Sequence, residues 1–141
     1  MPLHLLKLAV GIDDVEHLQK RQRALRAKDG MLRHRTRMTP RRQSELMDGG
    51  SMYWVIRGSI LVRQPLLALK EDKDEKGRSL CIIELEDRHI LVRPTAKRPF
   101  QGWRYLPDSS APPDLNLAKG GSVDPDMPKD MRQELSRLGL I

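Results

Sequence analysis

Met52-Tyr53-Trp54-Val55-Ile56-Arg57-Gly58-Ser59-Ile60-Leu61-Val62-Arg63-Gln64 packs β-branched, aromatic and arginine residues together and breaks them once, at a glycine. Such side chains suit a pleated surface that is half buried. Alternation puts Met52, Trp54 and Ile56 on one face and Tyr53, Val55 and Arg57 on the other. The stretch from Ser51 to Leu69 therefore predicts two consecutive strands broken at Gly58, the second presenting Ile60, Val62 and Gln64 against Leu61 and Arg63. Pro65 cannot donate to a ladder, so an edge position or a bulge is expected there.

Downstream, Lys70 to Arg78 is a charged loop with a glycine near its end and reads as a solvated hairpin tip. Leu80 to Leu85 and His89 to Arg93 continue an antiparallel meander. Phe100, Trp103 and Tyr105 make the next segment too aromatic for a loose loop, so it is expected to pack back on the sheet as a strand or an ordered arm. Upstream, Leu3 to Val10 is an apolar run interrupted by His4 and Lys7, as in a central strand buried on both faces. Asp13 or its neighbour caps a helix with a narrow stripe of Val15, Leu18, Gln22 and Leu25, ending near Asp29-Gly30. Its outer face carries Lys20, Arg21, Arg23, Arg26 and Lys28, the pattern of a solvated helical face. Met31 to Met38 reads as strand, with His34, Thr36 and Met38 on one side and Arg33, Arg35 and Arg37 on the other. Thr39-Pro40 starts a short helix over residues 41–47 that closes at Asp48-Gly49-Gly50.

These elements predict one α+β domain with a curved, mostly antiparallel sheet and two packed helices. Residues 1–106 form the core domain, 107–127 a Pro/Gly-rich linker or arm, and 128–141 a short C-terminal helix with Met131, Leu135 and Leu138 in register. At 141 residues the chain has room for one ordinary domain.

The formal charge is +7 and the sequence pI about 9.9. Residues 1–48 hold eleven Lys/Arg against six Asp/Glu, residues 49–106 eleven against seven, and residues 107–141 four against six. An anionic partner would thus meet the body of the domain and not its tail. The single cysteine, Cys81, excludes an internal disulfide and a cysteine-cluster metal site and suggests a reducing compartment. The apolar N-terminal run is too short to span a bilayer and lacks the basic region of a signal peptide, so a cytoplasmic protein is expected.

No phosphate-binding glycine loop, nucleophile elbow or zinc spacing is present, and no metal or cofactor is expected. Cys81, among Leu80, Ile82 and Ile83, reads as a small core residue. Glu84 is expected to pair with Arg63 or Arg93 across the sheet. His34 is the one candidate catalytic residue, because its arginine neighbours would keep it neutral and able to act as a base. What remains is a basic and aromatic constellation, of which Arg35, Arg37, Arg41, Arg57, Arg63, Tyr53, Trp54, Trp103 and Arg104 are the expected ligand contacts. Arginine forks grip phosphate and aromatic rings stack on unpaired bases, so RNA or a nucleotide is the expected partner, with no membrane. A small enzyme would instead use His34 as base with Arg35, Arg37 and Arg63 on a phosphate. An interaction subunit would dock its Phe100 to Tyr105 arm on a protein.

At residues 34–40, 45–58, 63–64 and 100–106 the chain resembles a family of uncharacterised alphaproteobacterial proteins, domain of unknown function 1489. The opening at residues 3–13 and the ending at residues 135–140 are similar to it as well. The resemblance implies a bacterial cytoplasmic protein and supplies no activity, cofactor or catalytic residue. At the level of outline, the expected fold is similar to the small RNA-binding barrels of the PUA and ASCH type, although the ASCH glycine-lysine-glutamate-arginine pattern is not met at residues 58–63.

Overall fold

The computed structural model describes residues 2–30 and 32–115. The expected C-terminal helix and the linker beyond residue 115 lie outside the described residues. In chain order the elements are β1 (Leu3–Leu8), α1 (Val15–Asp29), β2 (Arg33–Thr36), α2 (Gln43–Leu46), β3 (Ser51–Ile56), β4 (Ser59–Lys73), β5 (Ser79–Leu85), β6 (Ile90–Ala96) and β7 (Trp103–Pro107), followed by a 3-10 turn at Asp108–Ser110. The strands form one sheet in the order β2-β5-β4-β3-β1-β7, with β6 also paired to β4. Every pairing is antiparallel except β1 with β3. This is the expected α+β class, and the sheet curves without closing.

The hairpin of β3 and β4 turns at Arg57 and Gly58, whose φ angles of 49° and 79° are both left-handed. A two-residue loop with two positive φ angles matches the right-handed twist of the flanking strands. β4 is long because it serves two partnerships. Its first half lies between β3 and β6, and its second half pairs with β5 as far as Lys73. The expected charged loop is accordingly much shorter. Asp74 organises the turn, accepting from the backbone N–H of Lys76 and of Arg78 at 2.9 Å each.

One face assignment is corrected. The register passes from Trp54 with Val62 to Val55 with Ile60, leaving Leu61 as an extra residue. This bulge flips the alternation, so Ile60 joins Tyr53 and Val55 while Val62 and Gln64 stay on the face of Met52 and Trp54. Pro65 lies within β4, opposite Ser51.

β1 sits between β3 and β7, as its two-sided apolarity requires. Leu3 and Leu5 point into the main core with Met52, Trp54, Ile56, Ile83 and Leu85, while Leu6 points into a second cluster with Tyr53, Val55, Val92 and Leu106. Asp14 caps α1 by accepting from the N–H of His17 at 2.7 Å, and Gly30 ends it in the left-handed conformation. Val15, Leu18 and Gln22 are buried, but Leu25 is 42% exposed.

Thr39 does not cap α2. The free N–H groups of Arg41 and Arg42 instead donate to the hydroxyl of Tyr105 on β7, at 2.9 and 3.2 Å. With Trp103 Nε1 donating to the Met38 carbonyl at 2.7 Å, these bonds tie the chain after β2 to β7, bringing opposite edges of the curved sheet together. Part of the expected linker is also docked. Asp114 bridges to Val92 on β6, and Arg93 N–H donates to the Pro113 carbonyl at 2.9 Å. Glu84 pairs with Lys70 and Arg33 instead of Arg63 or Arg93, since β5 lies beside β2 and the far half of β4.

Candidate ligand cavity under the first helix

Alternation on β1 places Lys7 on the inner face with Leu3 and Leu5, beside Trp54 in the parallel register. His34 reaches the same region from β2, and its ring meets Trp54 edge-on at 5.5 Å. α1 passes over them. Between helix and sheet lies a cavity of about 210 Å³, whose polar lining is Lys7, Arg21, Gln22, Arg33, His34 and Trp54. Its walls are otherwise apolar, from Leu8, Ile12, Leu18, Leu32 and Leu85, with exposed Val10 and Leu25 at the rim. A single water needs far less room, roughly 10–15 Å³ of such volume, so the space is that of a small organic molecule.

The electrostatics of this cavity are one-sided. Burial, with a contribution from the Lys7 charge, pushes the His34 ring down to about 4 from its ordinary 6.5. The ring is therefore neutral at physiological pH, as expected, but through burial and Lys7 and not through the neighbouring arginines. Its Nε2 is buried with no hydrogen-bond partner among the described residues. Lys7 is itself half buried, and burial pushes its amine down. Lys7, Arg21 and a neutral imidazole thus border an apolar space, while Arg33 at its edge pairs with Glu84.

Beneath the cavity a buried amide network holds α1 to the sheet. Gln22 and Gln64 exchange hydrogen bonds, Gln22 Nε2 donating at 2.7 Å and Gln64 Nε2 returning at 3.0 Å. Gln64 Oε1 also accepts from Trp54 Nε1 at 2.9 Å, and Gln64 Nε2 donates to the Glu86 carbonyl at 3.1 Å. His89 Nε2 lies 2.6 Å from Gln22 Oε1, which fixes the ring proton on Nε2. Trp54 is thereby held in place as a cavity wall.

The expected arginine and aromatic contacts are not brought to one face. Tyr53 and Trp54 are each 4% exposed and lie on opposite sides of β3, and Trp103 is 6% exposed, so none offers an open ring for stacking. Arg57 pairs with Asp13, and Arg63 holds Asp114 through two hydrogen bonds at 2.7 and 2.8 Å. Arg37 pairs with Asp74 at 2.8 Å, and with Arg35 it flanks the β4–β5 hairpin tip. Arg41 and Arg104 are exposed, Arg104 over the ring of Phe100. His34 thus meets none of Arg35, Arg37 and Arg63; its cationic neighbours are Lys7, Arg21 and Arg33. Lys7 and Gln22 had visible signals, a charge at an inward strand position and an amide within an apolar helix stripe. Arg21 had none, since it reads as part of a solvated face.

Two other histidine and cysteine positions carry no such chemistry. His4 accepts from the Ser51 N–H at Nδ1 and contacts Asp108 through Nε2, so both ring nitrogens are used. Cys81 is fully buried, and burial pushes its thiol up, as suits a core residue. Among the described residues no cluster of ligating side chains could hold a metal ion. No described helix is long and apolar enough to cross a membrane.

The family profile described as Protein of unknown function (DUF1489) matches residues 5–141. The chain belongs to this family. Within DUF1489, the cavity residues Lys7, Arg21, Gln22, His34 and Trp54 all fall inside the matched span. No curated protein and no solved structure matches the chain.

His34 makes stability depend on pH in a stated direction. Its folded value lies below its unfolded one, so the unfolded chain takes up the proton first as pH falls. Stability is full above about 6.5 and declines between 6.5 and 4, by about 2 kcal/mol at pH 5 and about 3 in all. His89, also pushed down by burial, acts in the same direction. Urea unfolding at pH 7 and pH 5 is expected to show this loss, reduced in His34→Gln; superimposable curves for the native protein would contradict it.

Proposed function

We propose that the protein is a binding module for a small organic anion, a carboxylate or phosphate on a planar or apolar body, held in the cavity under α1. The observation that carries this reading is the buried Nε2 of His34, without a partner among the described residues, in a cavity whose charged groups include Lys7 and Arg21. A neutral imidazole can donate to or accept from such a ligand, and the amine and guanidinium supply the counter-charge. Binding fits better than acid-base catalysis, because a ring held at about 4 is a weak base at neutral pH.

Phenylphosphate, benzoate and inorganic phosphate are suitable probes, followed by calorimetry and by the NMR signals of the His34 ring and the Trp54 indole. The two aromatic anions are expected to bind and to shift both signals, with inorganic phosphate weaker. Lys7→Met is expected to reduce affinity by about 10-fold or more, the worth of a charge-assisted hydrogen bond. Unperturbed His34 signals at saturating probe would overturn the reading.

The excess of Lys and Arg over residues 1–106, with Arg35, Arg41 and Arg104 exposed, favours RNA on the outer surface as a second reading. RNA binding would weaken steeply with salt and with Arg35→Ala and Arg41→Ala, but not with Lys7→Met. Salt-independent retention, or none above a similarly basic control protein, would exclude it.

A further inference from the structure

We propose that Lys7 captures carbonyl-bearing organic anions, α-keto acids or aldehydes, as an imine on its side-chain nitrogen. This deepens the anion-binding reading and rests on it, because the same cavity must first hold the carboxylate or phosphate of the ligand.

The geometry assembles what imine formation needs. A lysine reacts as the free amine, which burial and nearby positive charge both favour. Lys7 is half buried on the inner face of β1, lines an apolar-walled cavity with Arg21 and Arg33, and forms no ion pair among the described residues that would hold it as an ammonium. Lys7 stands beside Trp54 in register and the His34 ring meets Trp54 edge-on at 5.5 Å, so both groups face the same cavity. His34 Nε2 has no partner among the described residues and, in the neutral tautomer protonated there, can donate to a carbonyl oxygen. Arg21, whose guanidinium also donates to the Val10 carbonyl at 3.4 Å, lines the same cavity and can supply charge to the anionic group.

The step balances without an oxidant or reductant. The free amine of Lys7 attacks the carbonyl carbon, forming the C–N bond as the C=O π pair moves to oxygen. Proton transfer from nitrogen to oxygen gives the carbinolamine. Loss of the hydroxyl group with the remaining N–H proton releases one water and leaves the C=N bond. Hydrolysis reverses it.

The test is borohydride trapping of the full chain at pH 7 with pyruvate or phenylpyruvate, read by intact mass and peptide mapping. Reduction of the imine adds hydride to carbon and fixes the adduct as a secondary amine. The expected result is one adduct on Lys7, formed at least about 10-fold faster than on the exposed Lys73 and Lys97, and slowed by benzoate, which carries the charge but not a reactive carbonyl. His34→Gln should lower the maximal trapping rate at saturating pyruvate, beyond any loss of affinity, while Lys73 and Lys97 label as before, a split that general loss of structure would not produce. Labelling of Lys7 no faster than Lys73 and Lys97 would overturn the proposal. If benzoate then still binds and shifts the His34 ring, the anion-binding reading stands alone; if it does not, both fail.

Discussion

Gly50→Ala is expected to destabilise the protein by about 3 kcal/mol or more, the upper range for forcing extra volume into a packed interior. A Cβ at this position would lie 2.3 Å from the carbonyl oxygen of Leu3 and 2.3 Å from that of Leu46. Both obstacles are backbone and cannot rotate away. Gly50 is pinned as well, because its N–H donates to the Leu46 carbonyl at 2.9 Å and its own carbonyl accepts from Leu66 N–H at 3.0 Å. The neighbouring glycine is a control of a different kind. Gly49 has a φ of 85° with nothing within 4 Å of its added Cβ, so Gly49→Ala carries only left-handed strain of about 1–2 kcal/mol. Urea midpoints of the two variants should therefore differ clearly, and equal, small losses would show that β1 and α2 can move apart around residue 50.

Gln64→Leu is expected to lose about 4 kcal/mol despite adding an apolar side chain to a core position, since each buried polar group left without a partner costs about 1–3 kcal/mol. Gln64 is fully buried, and its amide serves Trp54, Gln22 and the Glu86 carbonyl at once. Removing it strands the indole N–H and one side of the Gln22 amide. Adding Gln22→Leu removes the stranded amide, so the double variant should be less damaged than the sum of the singles. The Trp54 indole signal and urea unfolding report the two effects. A loss under about 0.5 kcal/mol, the range of an unremarkable surface substitution, would mean that water replaces Gln64 without difficulty.

How far the sequence can be read is visible in particular residues. Arg57-Gly58 made the hairpin legible because left-handed φ angles are a local demand that glycine meets at no steric cost. Asp14 and Gly30 bound α1 for the same kind of reason, each acting on backbone groups within a few residues. Leu61 was not legible. Nothing local distinguishes a bulge from regular alternation in Ile60-Leu61-Val62, and the choice comes from pairing β4 with β3 and β6 together. The capping of α2 was misread because its donors are met by Tyr105, more than sixty positions away.

The same division holds for the site. His34 stood out as an imidazole among cations, yet which cations matter depends on the curvature that carries β2 toward β1 and sets His34 beside Lys7 and not Arg63. The aromatic residues were expected to face a ligand, but Tyr53, Trp54 and Trp103 are drawn inward by the area they bury. Sequence alone determined the family, the α+β class, the hairpin, the first helix and the excess positive charge, because these follow from side-chain period, short-range backbone bonds and composition. Only the tertiary structure decided the cavity and its chemistry. Lys7, Gln22, His34 and Trp54 belong to four separate elements, and it is burial shared among those elements that leaves an imidazole neutral, an amine half buried and a space between them.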